Sequence, residues 1–182
     1  ILEDKSGLFW VGTLRGLSTL DRNTGKFITY RNNPDNPSDP NSLSARGVYS
    51  ICEDTEGVLW VGTYRGLNRF NKVDGTFSKF MYDNDNEGNN VVFRIKEDSR
   101  GNLWTGIWGN GLTKFDGSKF HTYRKENGLG GNIISDIHLG MNNRILITTE
   151  NGFSIFDGVL FTHYSTEDGL ISENLTDELP QL

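Results

Sequence analysis

Only one of the 182 residues is cysteine, and only three are histidine. A single thiol excludes an internal disulfide and says nothing of redox compartment. Cys52 adjoins Ile51 at the end of an apolar run, the setting of a structural thiol rather than a nucleophile. No hydrophobic run approaches the ~20 residues that span a bilayer, and no secretory leader pattern is present, so this segment is not expected to insert into a membrane. Basic clusters are missing as well. With 18 Lys and Arg against 24 Asp and Glu, the net charge is −6, which argues against a nucleic-acid face. Proline is scarce, at four residues, and no stretch holds the period of an amphipathic helix.

What is abundant is glycine, at 22 residues, and its distribution follows a repeat. Ile51–Leu67 reads I-C-E-D-T-E-G-V-L-W-V-G-T-Y-R-G-L. Ile1–Leu17 and Ile95–Leu112 say nearly the same, the latter with one extra residue, and Ile137–Phe153 is a worn copy. Trp10, Trp60, Trp104 and Leu146 mark one register, spaced by 50, 44 and 42 residues. Periods of ~40–50 residues with several strands per unit indicate propeller blades rather than helical solenoids.

Each unit offers four short strands bounded by Gly, Asn and Asp. Strand A ends at the isoleucine of I-x-E-D (Val48–Ile51, Val91–Ile95, Ile133–Ile137), and strand B is the Leu-Trp-Val-Gly-Thr run. Strand C is Gly-Leu-x-x-Phe, and strand D carries a Phe…Tyr or Phe…Phe pair. Asp116-Gly117 and Asp157-Gly158 signal C–D hairpins. The expected fold is all-β, a propeller of about four four-stranded antiparallel blades in one domain, with blades near 1–43, 44–88, 89–130 and 131–173. Residues 174–182 would begin a further strand A, since Asn174–Leu179 matches Asn132–Ile137. The chain starts inside a repeat and is expected to be part of a longer protein. A partial propeller is the expectation and a closed four-blade ring the alternative, four being the low end of the ~4–8 blade range. An open fragment would expose sheet faces and self-associate.

The pattern I-x-E-D-x-x-G-x-L-W-V-G-T-x-x-G-L, with a following strand that ends in Asp or Asn, resembles the two-component regulator propeller repeat. Asn33–Ser44 resembles that family's linker between blades. The resemblance covers essentially the whole chain and fades in the fourth unit, where Leu139-Gly140 replace Glu-Asp and Leu146 replaces Trp. It implies the periplasmic, extracytoplasmic sensor region of a membrane-spanning histidine kinase, often a hybrid that responds to glycans, with any kinase activity outside this chain.

The motifs that could carry chemistry mostly read as architecture. The pairs Glu3-Asp4, Glu53-Asp54 and Glu97-Asp98 precede glycine-containing turns, where Asp binds backbone amides, and once-per-blade spacing keeps them from converging. Trp10, Trp60 and Trp104 fit packing between blades. Asp83–Gly88 mimics the opening of a calcium loop, but Arg94 stands where the closing Glu would be. His121, His138 and His163 have no ligand spacing and are expected to be unpaired, so neither a metal nor a cofactor is expected. Asn174-Leu-Thr176 matches a glycosylation acceptor.

Strand alternation places the B–C loops and D–A connectors at one end of each sheet and the repeated turns at the other. The variable residues fall at the first end: Arg15, Arg46, Tyr64, Arg65, Arg94, Trp108, Asn110 and Glu150. Aromatic and arginine residues on loops of a rigid scaffold suit ligand binding. Together with the resemblance, which implies the sensory role and the glycan-derived ligand, this makes the expected function a non-enzymatic sensory module that detects a glycan-derived or other small ligand or passes a signal through propeller contacts. A propeller lyase or hydrolase is one alternative, in which His138 would act, and a protein interaction scaffold is another.

Overall fold

The computed structural model describes residues 1–82 and 90–173. These form four separate four-stranded sheets, each a meander with strands adjacent in chain order. The first sheet holds β1 (Leu2–Glu3), β2 (Phe9–Thr13), β3 (Gly16–Asp21) and β4 (Lys26–Tyr30), and the second β5 (Val48–Glu53), β6 (Leu59–Thr63), β7 (Gly66–Asn71) and β8 (Thr76–Phe80). The third holds β9 (Val92–Glu97), β10 (Leu103–Ile107), β11 (Gly111–Phe115) and β12 (Phe120–Tyr123), and the fourth β13 (Ile134–Leu139), β14 (Ile145–Thr149), β15 (Gly152–Phe156) and β16 (Phe161–Tyr164). Strand A runs two residues past the repeat's isoleucine, to Glu53, Glu97 and Leu139, because these residues still pair with the start of strand B. Helical residues among those described are confined to loops, as single 3₁₀ turns at Lys125–Asn127, Met141–Asn143 and Thr166–Asp168. The chain divides into two compact units, Ile1–Ile95 and Lys96–Leu182.

The I-x-E-D…W pattern is an electrostatic clasp on the A–B turn. One oxygen of Asp4 accepts the amides of Ser6 and Leu8, each at 3.0 Å, and the other accepts the Trp10 indole N–H at 2.9 Å. Asp54 holds the Val58 amide and the Trp60 indole, each at 2.7 Å. Asp98 holds the amides of Arg100 and Asn102 and the Trp104 indole at 2.8 Å. The three carboxylates are buried. Burial raises the pKa of Asp4 and of Asp98, but for each the donated hydrogen bonds outweigh it and hold the group below the usual carboxylate range. The fourth sheet loses both partners at once. A Cβ on Gly140 would collide with the Leu146 side chain, so leucine occupies the volume that the aspartate fills elsewhere. The turn itself survives, with the Gly140 amide donating to the Arg144 carbonyl at 2.8 Å as Asp4 does to Leu8.

Two of the clasped tryptophans, Trp10 and Trp104, then pack on the next sheet. In the first unit the Trp10 and Phe70 rings meet edge-on at 5.3 Å, and Phe70 meets Tyr30 at 4.9 Å. In the second unit Trp104 meets Phe156 at 5.6 Å, and Tyr123 meets Phe156 at 5.1 Å. Each unit has its own core, around Leu17, Leu43, Leu59 and Val61 in one and Leu112, Ile137, Ile145 and Ile147 in the other. Strand B glycines allow the close approach of neighbouring sheets. A Cβ on Gly12 would lie 2.6 Å from Val48 Cγ1, and one on Gly106 would lie 2.8 Å from Ile134 Cβ.

The proline-containing connector Asn33–Ser44 is laid against the second sheet. Pro40 O accepts the Phe77 amide at 2.6 Å, and Lys79 Nζ donates to Pro37 O, Asp39 O and Ser42 Oγ at 2.6, 2.9 and 3.1 Å. The fully buried Asn68 receives the Ser44 amide at 2.8 Å and donates to Val61 O.

Trp104→Phe removes the indole donor from a buried carboxylate and should cost about 1–3 kcal/mol. The pair Asp98→Gly with Trp104→Leu, copied from the fourth sheet, should cost less than the sum of its single changes. Urea unfolding of the unaltered chain and the four variants checks both. Carboxyls with depressed folded pKa values stabilise fully above about pH 4, the ordinary range, and lose that contribution as pH falls through the folded value. Stability should therefore drop below about pH 4, and drop less steeply in Trp104→Phe.

Candidate functional site

The B–C turns are built by the Thr-x-x-Gly of the repeat. Thr13, Thr63 and Thr149 each donate Oγ1–H to a glycine carbonyl, at Gly16, Gly66 and Gly152 (3.0–3.2 Å). The same oxygens accept the amides of Arg15, Arg65 and Asn151. The glycine that follows has positive φ and leaves no room for a side chain against the strand D carbonyl of Tyr30, Phe80 or Tyr164. The third turn has Ile107 in place of Thr and one extra residue, which is where Trp108 stands.

Register fixes which residues share an end. In the first unit Val48 pairs with Thr63 and also covers Gly12, while Val92 lies against Gly62. The β2–β3 turn, the β6–β7 turn and the starts of β5 and β9 therefore gather at one end. That end carries Arg15, Arg46, Tyr64, Arg65 and Arg94. Arg15 and Arg46 are exposed and Tyr64 is 42% exposed, while Arg65 and Arg94 are half-buried. Two residues that motif reasoning missed join them. A bulge between Val48 and Ser50 turns Tyr49 outward, and its ring lies 4.8 Å from that of Phe93. An aromatic directly after the first valine of strand A in two successive units was the available signal.

In the second unit Ile134 pairs with Thr149 and covers Gly106, so Trp108, Asn110 and Glu150 share an end. Trp108 is 53% exposed, whereas Trp10, Trp60 and Trp104 are buried. Asn110 and Glu150 depart from the expectation of side chains presented to a ligand. Asn110 is buried, and its amide oxygen accepts Arg124 Nη2 at 3.0 Å. The Glu150 carboxylate accepts the amides of Asn132 and Ile133 at 3.1 and 2.9 Å. Both hold the connector into β13, because the amides and guanidinium there need partners once the connector folds down on the sheet.

The histidines are not unpaired, contrary to expectation. His121 Nε2 lies 3.0 Å from Asp116 Oδ2, and His138 Nε2 lies 2.6 Å from Asp136 Oδ2. Strand alternation returns residues two apart to one face, which pairs Asp136 with His138. His138 opposes Leu146, so it belongs to the turn end of its sheet. The Lys119 amide, then His121 and Ser118, hold the Asp116 carboxyl well below the usual range. His163 Nδ1 lies 3.1 Å from the Phe153 carbonyl and 3.4 Å from Ser154 Oγ. Among the described residues no cluster of three or more His, Cys, Asp or Glu could hold a metal ion, and no helix is long and apolar enough to cross a membrane. The calcium-like stretch Asp83–Gly88, the Asn174 acceptor and the further strand A at 174–182 lie outside the described residues.

Sheets of this kind, with repeated clasped turns, define a β-propeller segment. More particularly, the chain carries the two component regulator propeller repeat, whose family model matches residues 42–65. Among solved structures it is similar to the extracellular domain of BT3049 from B. thetaiotaomicron, described as a hybrid two component system: TM-score 0.71, 25% identity, 85% of this chain and 21% of that one. It is also similar to the extracellular domain of BT4673 from the same organism, with TM-score 0.78, 21% identity, 95% of this chain and 25% of that one. Virginiamycin B lyase from Staphylococcus aureus shares the fold at TM-score 0.69 and 18% identity, over 91% of this chain and 54% of that one. The chain thus spans about a quarter or less of the two extracellular domains. No curated protein matches its sequence.

Trp108→Ala should change stability by no more than about 0.5 kcal/mol, as an exposed position, whereas Trp10→Ala should cost roughly 3–5 kcal/mol. Thermal and urea unfolding of both variants separates the two roles.

Proposed function

We propose that the chain is a non-catalytic sensory segment of the periplasmic region of a two-component receptor, and that it binds a glycan-derived ligand at the loop ends. The observation that carries this is Trp108: the only tryptophan outside the clasped register stands exposed on a turn lengthened by one residue. An indole face stacks on the apolar side of a sugar ring, and guanidinium groups bond its hydroxyls. In the first unit Tyr49 and Phe93 beside Arg46, Arg94, Arg15, Tyr64 and Arg65 offer the same chemistry. Asn110 and Glu150 act by holding connectors in place. Similarity to extracellular domains of two-component systems supports the sensory setting and the extracytoplasmic location. Self-association through sheet surfaces belongs to the same proposal.

Calorimetric titration of the full-length receptor with a panel of oligosaccharides tests it. Trp108→Ala should weaken binding at least tenfold, the behaviour of an anchor worth ~2 kcal/mol, with unfolding unchanged. Undiminished binding in Trp108→Ala would move the site elsewhere.

A lyase-like reading draws on the Asp136–His138 pair and on the fold shared with virginiamycin B lyase. Multiple turnover of a glycan or lactone by the purified chain, lost in His138→Ala, would establish it in place of the sensory role.

A further inference from the structure

Each unit has one seam between its paired sheets, and the loop ends of the two seams can be compared position by position. A Cβ on Gly16 would lie 2.4 Å from Tyr30 O and 3.4 Å from Arg31 Cγ. One on Gly111 would lie 2.3 Å from Tyr123 O and 3.4 Å from Arg124 Cγ. The two glycines thus hold equivalent places, and the stems of Arg31 and Arg124 pass them alike. In the second unit the residue before the glycine is Asn110, whose amide oxygen accepts Arg124 Nη2 at 3.0 Å. In the first unit that residue is Arg15. An acceptor has become a second donor, so the first seam supplies a guanidinium where the second supplies an oxygen.

Arg46 adds a third positive charge. Val48 covers Gly12. Arg46, two residues before Val48, and Arg15, three residues after Gly12, therefore emerge at the same end of the seam between β2 and β5. Arg15, Arg31 and Arg46 are all exposed, and among the described residues none of their side chains has an ion pair or a hydrogen bond. The connector between β4 and β5 carries two carboxylates, Asp35 and Asp39, and neither pairs with an arginine. Asp39 instead accepts the Asn33 side-chain amide at 3.1 Å and the Asn41 amide at 2.9 Å. The second seam also has Glu150 directly after Thr149, where the first has Tyr64 after Thr63. Tyr64 is 42% exposed. The first seam has thus exchanged an amide oxygen and a carboxylate for a guanidinium and a phenol ring.

These groups match an oxyanion carried on a ring. A guanidinium offers two parallel N–H donors to a carboxylate or a sulfate, and Tyr64 offers a face to the ring that bears it. Hydroxyls accept such bonds as well, but only an anion relieves the repulsion among three like charges.

We infer that the seam end formed by Arg15, Arg31 and Arg46 is an oxyanion subsite for an acidic saccharide, one that carries a carboxylate or a sulfate group. This rests on the reading of the loop ends as the ligand-binding face and adds the charge class of the ligand.

Calorimetric titration of the chain with a uronic acid trisaccharide, its methyl ester, a sulfated disaccharide and sodium sulfate tests it. At about 20 mM salt an acidic saccharide should bind at least about tenfold more tightly than the ester, the weight of one charge-assisted hydrogen bond. That advantage should shrink at about 500 mM salt. Arg15→Asn, which copies the second unit, and Arg31→Gln should each weaken binding of the acidic saccharide about tenfold, with the thermal unfolding midpoint unchanged. Preference for the uronic acid or for the sulfated disaccharide supports the subsite and names the group. Equal binding of both acidic saccharides and the ester, or full binding of the acidic saccharides by both variants, overturns this inference and leaves the loop-end reading standing. Binding of none of the saccharides overturns both. Free sulfate held as tightly as either acidic saccharide overturns the saccharide assignment, since the site would then take a simple anion.

Discussion

A buried carboxylate that holds an indole N–H and the amides of its own turn is the interaction on which the first three sheets depend. It joins three levels of structure in one group. Locally it closes the A–B turn by satisfying amides that the tight backbone leaves without partners. Across the sheet it fixes the tryptophan six residues on, so that the ring cannot leave its rotamer. Between sheets that ring meets Phe70 or Phe156 edge-on. A side chain fixed at one end and packed at the other passes the geometry of a turn into the geometry of the core. The fourth sheet shows that the clasp works as a unit: once aspartate becomes Gly140, tryptophan becomes Leu146 and fills the vacated volume.

The opposite ends of the sheets are organised by weaker and more varied means. Threonine hydroxyls close three of the four B–C turns, and the connectors are held down by whatever polar side chain the neighbouring strand supplies. Asn68 and Lys79 serve the first unit, and Glu150, Asn151 and Ser154 the second. Because the backbone there is held by different side chains in each unit, the exposed residues between them are free to differ. This separates an architectural end from a variable one within a repeated scaffold.

Interior grooves add a second source of variation. The same aromatic trio lines a groove of about 390 Å³ in one unit and of about 110 Å³ in the other, where Lys114 stands at the position of Thr19 and several other lining residues differ as well. Repetition therefore constrains backbone and aromatic positions more tightly than it constrains the space between sheets.

The sequence alone determined the number of strands, their order, the turn types and the role of Trp10, Trp60 and Trp104, because each of these rests on local patterning repeated in register. Repetition also told architectural carboxylates from available ones. Pairings that depend on where side chains point in three dimensions were not legible. Asn110 and Glu150 sit in variable loops, as a ligand contact would, yet they bond Arg124 and the connector backbone, which strands elsewhere in the chain bring to them. Tyr49 meets Phe93 only through a bulge. Tertiary structure decided these because each is a contact between residues fourteen or more positions apart, and no local pattern encodes its distance.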